Sequence, residues 1–162
     1  MRQIQNKTTA AKISRHPSAL QADPVAPNEP LMKAILFVDD HEILARLSCE
    51  ILEMQGYRVV TAYNGEEALR RFSQDRFDML VTDYRMEGMS GAELASIVRE
   101  RRPGIPVVMV TGYGPIENNG GKNVSACLQK EDLFPALLDT IKLLLGEEKD
   151  KSKIKPPAVK SA

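Results

Sequence analysis

Four short, largely apolar runs in this 162-residue chain each stop on a polar residue: AILFV on Asp39 and Asp40, MLVT on Asp83, VVMV on Thr111, and SACLQ on Lys130. Between them lie stretches with helical periodicity. Continuous apolar runs of strand length are what a parallel sheet covered on both faces requires, and such sheets place ligands at the carboxyl ends of their strands. The alternation predicts an α/β chain of five parallel strands with right-handed crossovers, and it brings the polar residues to one cleft.

Asp39 and Asp40 carry the strongest local constraint. Two adjacent carboxylates at a strand end repel each other and are costly to bury without a compensating cation. Mg2+ suits them, because it takes oxygen ligands, commonly from one or two carboxylates, and keeps several waters. Asp83 completes an acidic pocket, where an aspartate could be a ligand, a general base or a nucleophile. The Thr111 hydroxyl and the Lys130 ammonium fit phosphoryl oxygens. Taken singly, each residue has a plainer reading: a helix cap for the acidic pair, a turn residue for Thr111, a surface lysine for Lys130. Their occurrence together at four strand ends favours chemistry. His41, in an opening helical turn, and His16, in the N-terminal segment, are read as having no chemical part.

Period and caps place the helices. Ile43, Leu44, Leu47, Ile51 and Leu52 predict the inward stripe of a first helix that stops near Gly56, followed by the strand RVVTAY. Asn64 with Glu67 and Ser90 with Glu93 predict capping boxes. The first opens a helix with Ala68, Leu69 and Phe72 inward, the second a helix with Leu94, Ile97 and Val98 inward. A last helix is expected from about Asp132 to Leu145, with Leu133, Leu137, Ile141, Leu144 and Leu145 on one face and Pro135 in its first turn.

Asp39-Asp40, Asp83 followed by YRMEGMSG, VTG with Thr111, and Lys130 together resemble the receiver domain of two-component response regulators, the CheY-like family, and are close to the terminal receivers of hybrid sensor kinases. The resemblance runs from about Lys33 to Gly146. It implies a flavodoxin-like, doubly wound five-stranded sheet of order 2-1-3-4-5. Asp83 would be the phosphoacceptor, Asp40 a direct Mg2+ ligand, and Asp39 a ligand acting mostly through water. The backbone carbonyl of Arg85 would also reach the metal, Thr111 would hydrogen-bond the phosphoryl group, and Lys130 would pair with it. The donor would be a phosphohistidine on a sensor histidine kinase or phosphotransfer protein. Such a chain catalyses only its own aspartyl phosphorylation and dephosphorylation. Arg85, Glu87 and Tyr113 are expected to border the cleft.

The chain departs from the family pattern in four places. GYGPIENNGGKNVSACLQ, where the family carries a fourth helix, has paired asparagines, paired glycines and no apolar stripe, so a loop or a single turn is expected there. Cys127 stands where an aromatic ring commonly swings inward on phosphorylation. Glu131 follows the lysine in place of the usual proline, so a trans Lys130-Glu131 bond is expected. Glu87 likewise replaces a common proline. A pseudo-receiver, binding partners without a phosphorylation-driven switch, is therefore the alternative reading. A phosphatase is disfavoured because Arg85 occupies the place of a second acid, and a flavin carrier because no phosphate-binding loop follows the first strand.

Composition supports a cytoplasmic domain with tails. There is no apolar run of membrane-spanning length and no signal-peptide pattern. The 22 basic and 22 acidic residues are unevenly spread. Residues 1–33 hold five basic and two acidic side chains and residues 147–162 five and three, leaving twelve and seventeen in between. Residues 1–32 are expected to be disordered, 33–146 to form the receiver, and 147–162 to be a basic flexible tail. Met32, directly before the first strand, is an alternative start of translation. The short basic tail lacks aromatic or arginine-rich interleaving, which disfavours nucleic acid as a partner. Cys49 and Cys127 have no metal-ligand spacing and are expected to be small hydrophobes.

Overall fold

The computed structural model describes residues 32–112 and 122–147. Five parallel strands, β1 (Ala34–Val38), β2 (Arg58–Ala62), β3 (Met79–Asp83), β4 (Val107–Thr111) and β5 (Ala126–Gln129), form one sheet of order β2-β1-β3-β4-β5. Helices α1 (Glu42–Met54), α2 (Gly65–Gln74) and α3 (Gly91–Arg101) connect the first four strands, and α4 (Leu133–Leu144) follows β5. Five parallel strands are what the alternation of apolar runs and amphipathic stretches predicts, and their doubly wound order is the one the family resemblance implies. Residues 113–121, half of the segment expected to replace a fourth helix, and both expected tails apart from Met32 and Glu147 lie outside the described residues.

Alternation along the strands divides the core in two. Leu36, Val38, Leu80 and Met109 pack on the side of α2 and α3, with Phe72, Leu94 and Val98. Ile35, Phe37, Val81 and Val110 pack on the other side with Leu52 of α1 and Leu133, Leu137 and Ile141 of α4. β1, β3 and β4 are buried at every position, as central parallel strands covered on both faces should be.

The inward face of α1 matches the expected one in part: Leu52 is buried and Leu44 packs on the core, but Ile43 and Leu47 do not. Ile43 is 75% exposed and Leu47 45% exposed, whereas Ala45, Ser48 and Leu52 are buried. The helix carries apolar residues on two sides, and the side of Leu44, Ala45, Ser48 and Leu52 faces the core. The other inward faces follow the expectation, with Ala68 and Phe72, Leu94 and Val98, and Leu133, Leu137 and Ile141 buried.

Ser90 and Glu93 form the expected capping box, with both reciprocal bonds present. At α2 the pattern is shifted. Asn64 accepts from the Glu67 N–H, but the Glu67 carboxylate reaches back to the N–H of Tyr63 and forward to Arg71. Among the described residues no peptide bond is cis, so Lys130-Glu131 is trans as expected. Cys49 and Cys127 are free thiols, both half-buried.

Candidate functional site

Strand register assembles the site step by step. Val38 pairs with Thr82, so Asp39 and Asp83 leave adjacent strands side by side. Asp83 pairs with Val110, which puts Thr111 one residue further along the next strand. Thr111 pairs with Gln129, and Lys130 follows directly as the first residue of a short 3-10 turn, Lys130–Asp132. Residues separated by ninety positions in the chain therefore meet at one edge of the sheet.

Ligand atoms of Asp39, Asp40 and Asp83 all lie within 4.8 Å of one another. Asp39 is 1% exposed and Asp83 6%, while Asp40 is open to solvent. The Lys130 ammonium bridges the two buried carboxylates, 2.8 Å from Asp39 Oδ2 and 3.3 Å from Asp83 Oδ1. The other oxygen of Asp39, Oδ1, accepts from the His41 N–H at 2.9 Å. Thr111 is buried. Arg85 and Glu87 lie exposed on the loop that leaves β3, and Tyr113 lies outside the described residues.

Burial, reinforced by the Asp39 charge, holds the Asp83 carboxyl above the usual carboxylate range, although Lys130 and the Tyr84 N–H pull the other way. Burial alone would lower the Lys130 ammonium, but its hydrogen bond to Asp39 and the charges of Asp39 and Asp83 outweigh it and hold the group above its usual value. Lys130 thus pairs with two of the three carboxylates, and Asp40 stands beside them. A hard divalent cation fits the remaining negative charge and the all-oxygen donor set. Asp39, Asp40 and Asp83 are the side chains that would hold it.

Three contributors escaped the sequence reading. The backbone N–H of His41 pins Asp39, and the imidazole caps α1 by accepting from the Leu44 N–H through Nδ1. Thr82, fully buried, donates its hydroxyl to the carbonyl oxygen of Asp83 at 3.0 Å. A hydroxyl breaking an apolar run next to Asp83 was the available signal. Gly91 closes against the same carbonyl, and only the tertiary approach of α3 reveals it.

A doubly wound sheet of order 2-1-3-4-5 with three carboxylates and one lysine at its carboxyl edge defines the receiver class of α/β proteins. Residues 35–131 match the response regulator receiver domain family, and the chain belongs to it. A response regulator receiver protein from Anaeromyxobacter is 37% identical over 111 residues. The match covers 67% of this chain and 47% of that protein. The chain spans 18% of the transcriptional regulatory protein GlrR of Escherichia coli, at 38% identity. Among solved structures, the response regulator TrrA of Thermotoga maritima in complex with Mg2+-BeF superposes with a TM-score of 0.66 at 32% identity, covering 70% of this chain and 99% of that one. TrrA in complex with the histidine kinase ThkA gives a TM-score of 0.65 at 33% identity, covering 70% and 99%.

Proposed function

We propose that this chain accepts a phosphoryl group from a phosphohistidine onto Asp83 in a Mg2+-dependent reaction, as a single-domain response regulator or an intermediate in a phosphorelay. The observation that carries the reading is the meeting of Asp39, Asp40, Asp83 and Lys130 at one edge of the sheet. In the transfer, a carboxylate oxygen of Asp83 forms a bond to phosphorus as the phosphorus–nitrogen bond breaks. The electron pair stays on the imidazole of the donor, and the product is an acyl phosphate. Mg2+ bound by the three aspartates would neutralise charge on the phosphoryl oxygens. Lys130 exchanges its bond to the Asp83 carboxylate for one to the new phosphoryl group, and the Thr111 hydroxyl donates to the same group. The backbone carbonyl of Arg85 is assigned to the metal. Hydrolysis of the acyl phosphate at the same site returns the chain to its resting state, so no turnover of a separate substrate is involved.

The solvent side of α1 supports a protein as the donor. Ile43, Leu47 and Met54, the last 83% exposed, lie along one face of the helix that starts beside Asp40. An apolar stripe of this kind is the counterpart of another amphipathic helix. TrrA, which resembles this chain, has been solved with a histidine kinase, and the same class of partner is assigned here.

The test is intact-protein mass after incubation with acetyl phosphate and Mg2+, beside an EDTA control and an Asp83→Asn variant. A gain of one phosphoryl mass in the native, Mg2+-containing sample alone is expected. No gain in folded protein would overturn the reading in favour of a binding module.

A further inference from the structure

The acceptor side chain is only as well placed as the backbone that carries it, and that backbone is held from one unexpected direction. The carbonyl oxygen of Asp83 receives the Thr82 hydroxyl on one side. On another it meets Gly91, the first residue of α3, so closely that a Cβ there would lie 2.0 Å from Asp83 O, 3.0 Å from Asp83 C and 3.2 Å from Thr82 Oγ1. Gly91 also donates its N–H to Tyr84 O at 3.1 Å, and the Tyr84 N–H goes to Val110 O at 2.8 Å. The two peptide groups after Asp83 are therefore fixed between β4 and the start of α3.

Gly91 does not have a positive φ, so its backbone is open to any L-residue. Distance alone demands glycine. Ser90, the preceding residue, already caps α3, so an alanine at Gly91 would extend a properly started helix while forcing it away from backbone atoms that cannot swing aside.

We propose that Gly91 is a positioning residue for Asp83: by admitting α3 against the Asp83 carbonyl, it sets where the carboxylate and the following Arg85 carbonyl stand relative to Asp39 and Asp40. The inference rests on the reading of the acidic cluster as a Mg2+ and phosphoryl site. It adds that the site's geometry is imposed from a helix that contributes no ligand. Its two backbone contacts divide the task. The N–H orients the Tyr84 carbonyl, and the bare Cα sets the separation from β3.

The experiment compares full-length native protein with Gly91→Ala, Thr82→Val and Ser90→Ala. Three quantities are read: Mg2+ affinity by calorimetry, the initial rate of phosphoryl mass gain from acetyl phosphate at saturating Mg2+, and the melting temperature. Supporting groups around metal ligands typically change affinity by roughly ten- to hundredfold, and Gly91→Ala is expected to weaken Mg2+ binding and slow phosphorylation within that range. Thr82→Val, which keeps the shape and removes the donor to Asp83 O, is expected to move both in the same direction by a smaller factor. Ser90→Ala removes the cap of the same helix, so it should lower the melting temperature while leaving Mg2+ affinity within about twofold of native. Native affinity in Gly91→Ala, or equal loss in Ser90→Ala, overturns the proposal. If Gly91→Ala does not fold, Thr82→Val decides, and native affinity there overturns it. A native protein that binds Mg2+ yet gains no phosphoryl mass would end the transfer reading, while the ranking of affinities still tests the role of Gly91. A native protein that does not bind Mg2+ would end both.

Discussion

Ser48 buries its hydroxyl completely against the sheet, and among the described residues its Oγ has no hydrogen-bond partner. Burying an unpartnered hydroxyl costs about 1–3 kcal/mol, and alanine is also the better helix former, so Ser48→Ala should raise stability by roughly 1 kcal/mol in a urea titration. Glu67 presents the opposite case. Burial would raise its carboxyl, but the bonds from the Tyr63 N–H and Arg71 outweigh that and hold it below the usual range. A depressed acid contributes stability that is present above its unfolded pKa, about 4.3, and is lost as pH falls through the lower folded value. Glu67→Gln should therefore melt below the native protein at pH 7, and melting curves taken at successively lower pH should converge once the native carboxyl protonates. Cys49 is raised to about 11 by burial first and by Glu53 second, so iodoacetamide should label it only slowly at neutral pH.

At the scale of the element, α1 separates two kinds of apolar residue that look alike in a sequence. Leu52→Ala removes a fully buried side chain and should cost about 3 kcal/mol, whereas Ile43→Ala and Leu47→Ala should stay within about 0.5 kcal/mol of native by the same unfolding measurement. If Ile43 and Leu47 form the partner face, the same two variants should slow transfer from a phosphohistidine protein while leaving acetyl phosphate labelling intact. The periodicity of this helix could not single out its inward side, because large apolar residues stand on both sides, Ile43 and Leu47 on the exposed one and Leu44 and Leu52 beside Ala45 and Ser48 on the inward one. Where a helix had a single apolar side, as α4 does with Leu133, Leu137 and Ile141, its buried face was legible. The shifted cap of α2 shows the same limit. Asn64 and Glu67 were recognisable as a pair, but the bond to Tyr63 in place of the cap residue depends on the path of the chain entering the helix.

For the whole molecule, the candidate site was legible because strand ends are marked by residue types that an apolar run cannot contain. Asp39, Asp83, Thr111 and Lys130 were readable for that reason. Their order across the sheet was not in the residues themselves and came from the family resemblance, since any of several pairings would bury five apolar strands equally well. Gly91 was hidden because its contact exists only once β3 and α3 are packed, whereas the Thr82 hydroxyl, bonded to the carbonyl of the next residue, was a signal in the run that went unread. The excess negative charge of the finished site predicts that Mg2+ stabilises the fold. Ligand binding at a hundredfold excess over Kd contributes about 2.7 kcal/mol, so a Mg2+ titration followed by thermal melting should raise the midpoint in the native protein and much less in Asp40→Asn.

β5 pairs with β4 alone among the described strands, has only four residues, and is half-exposed at each of them, while β1, β3 and β4 are sealed on both faces. Strands with so little covering are the first to exchange their amide hydrogens, at a free energy below that of global unfolding. Lys130 is carried at the end of that strand and the three aspartates are not. A brief fraying of the sheet edge would thus withdraw the ammonium that bridges Asp39 and Asp83 while leaving the acidic cluster assembled, so the lifetime of the lysine contact is set by a short edge strand and that of the acidic cluster by two strands buried on both faces.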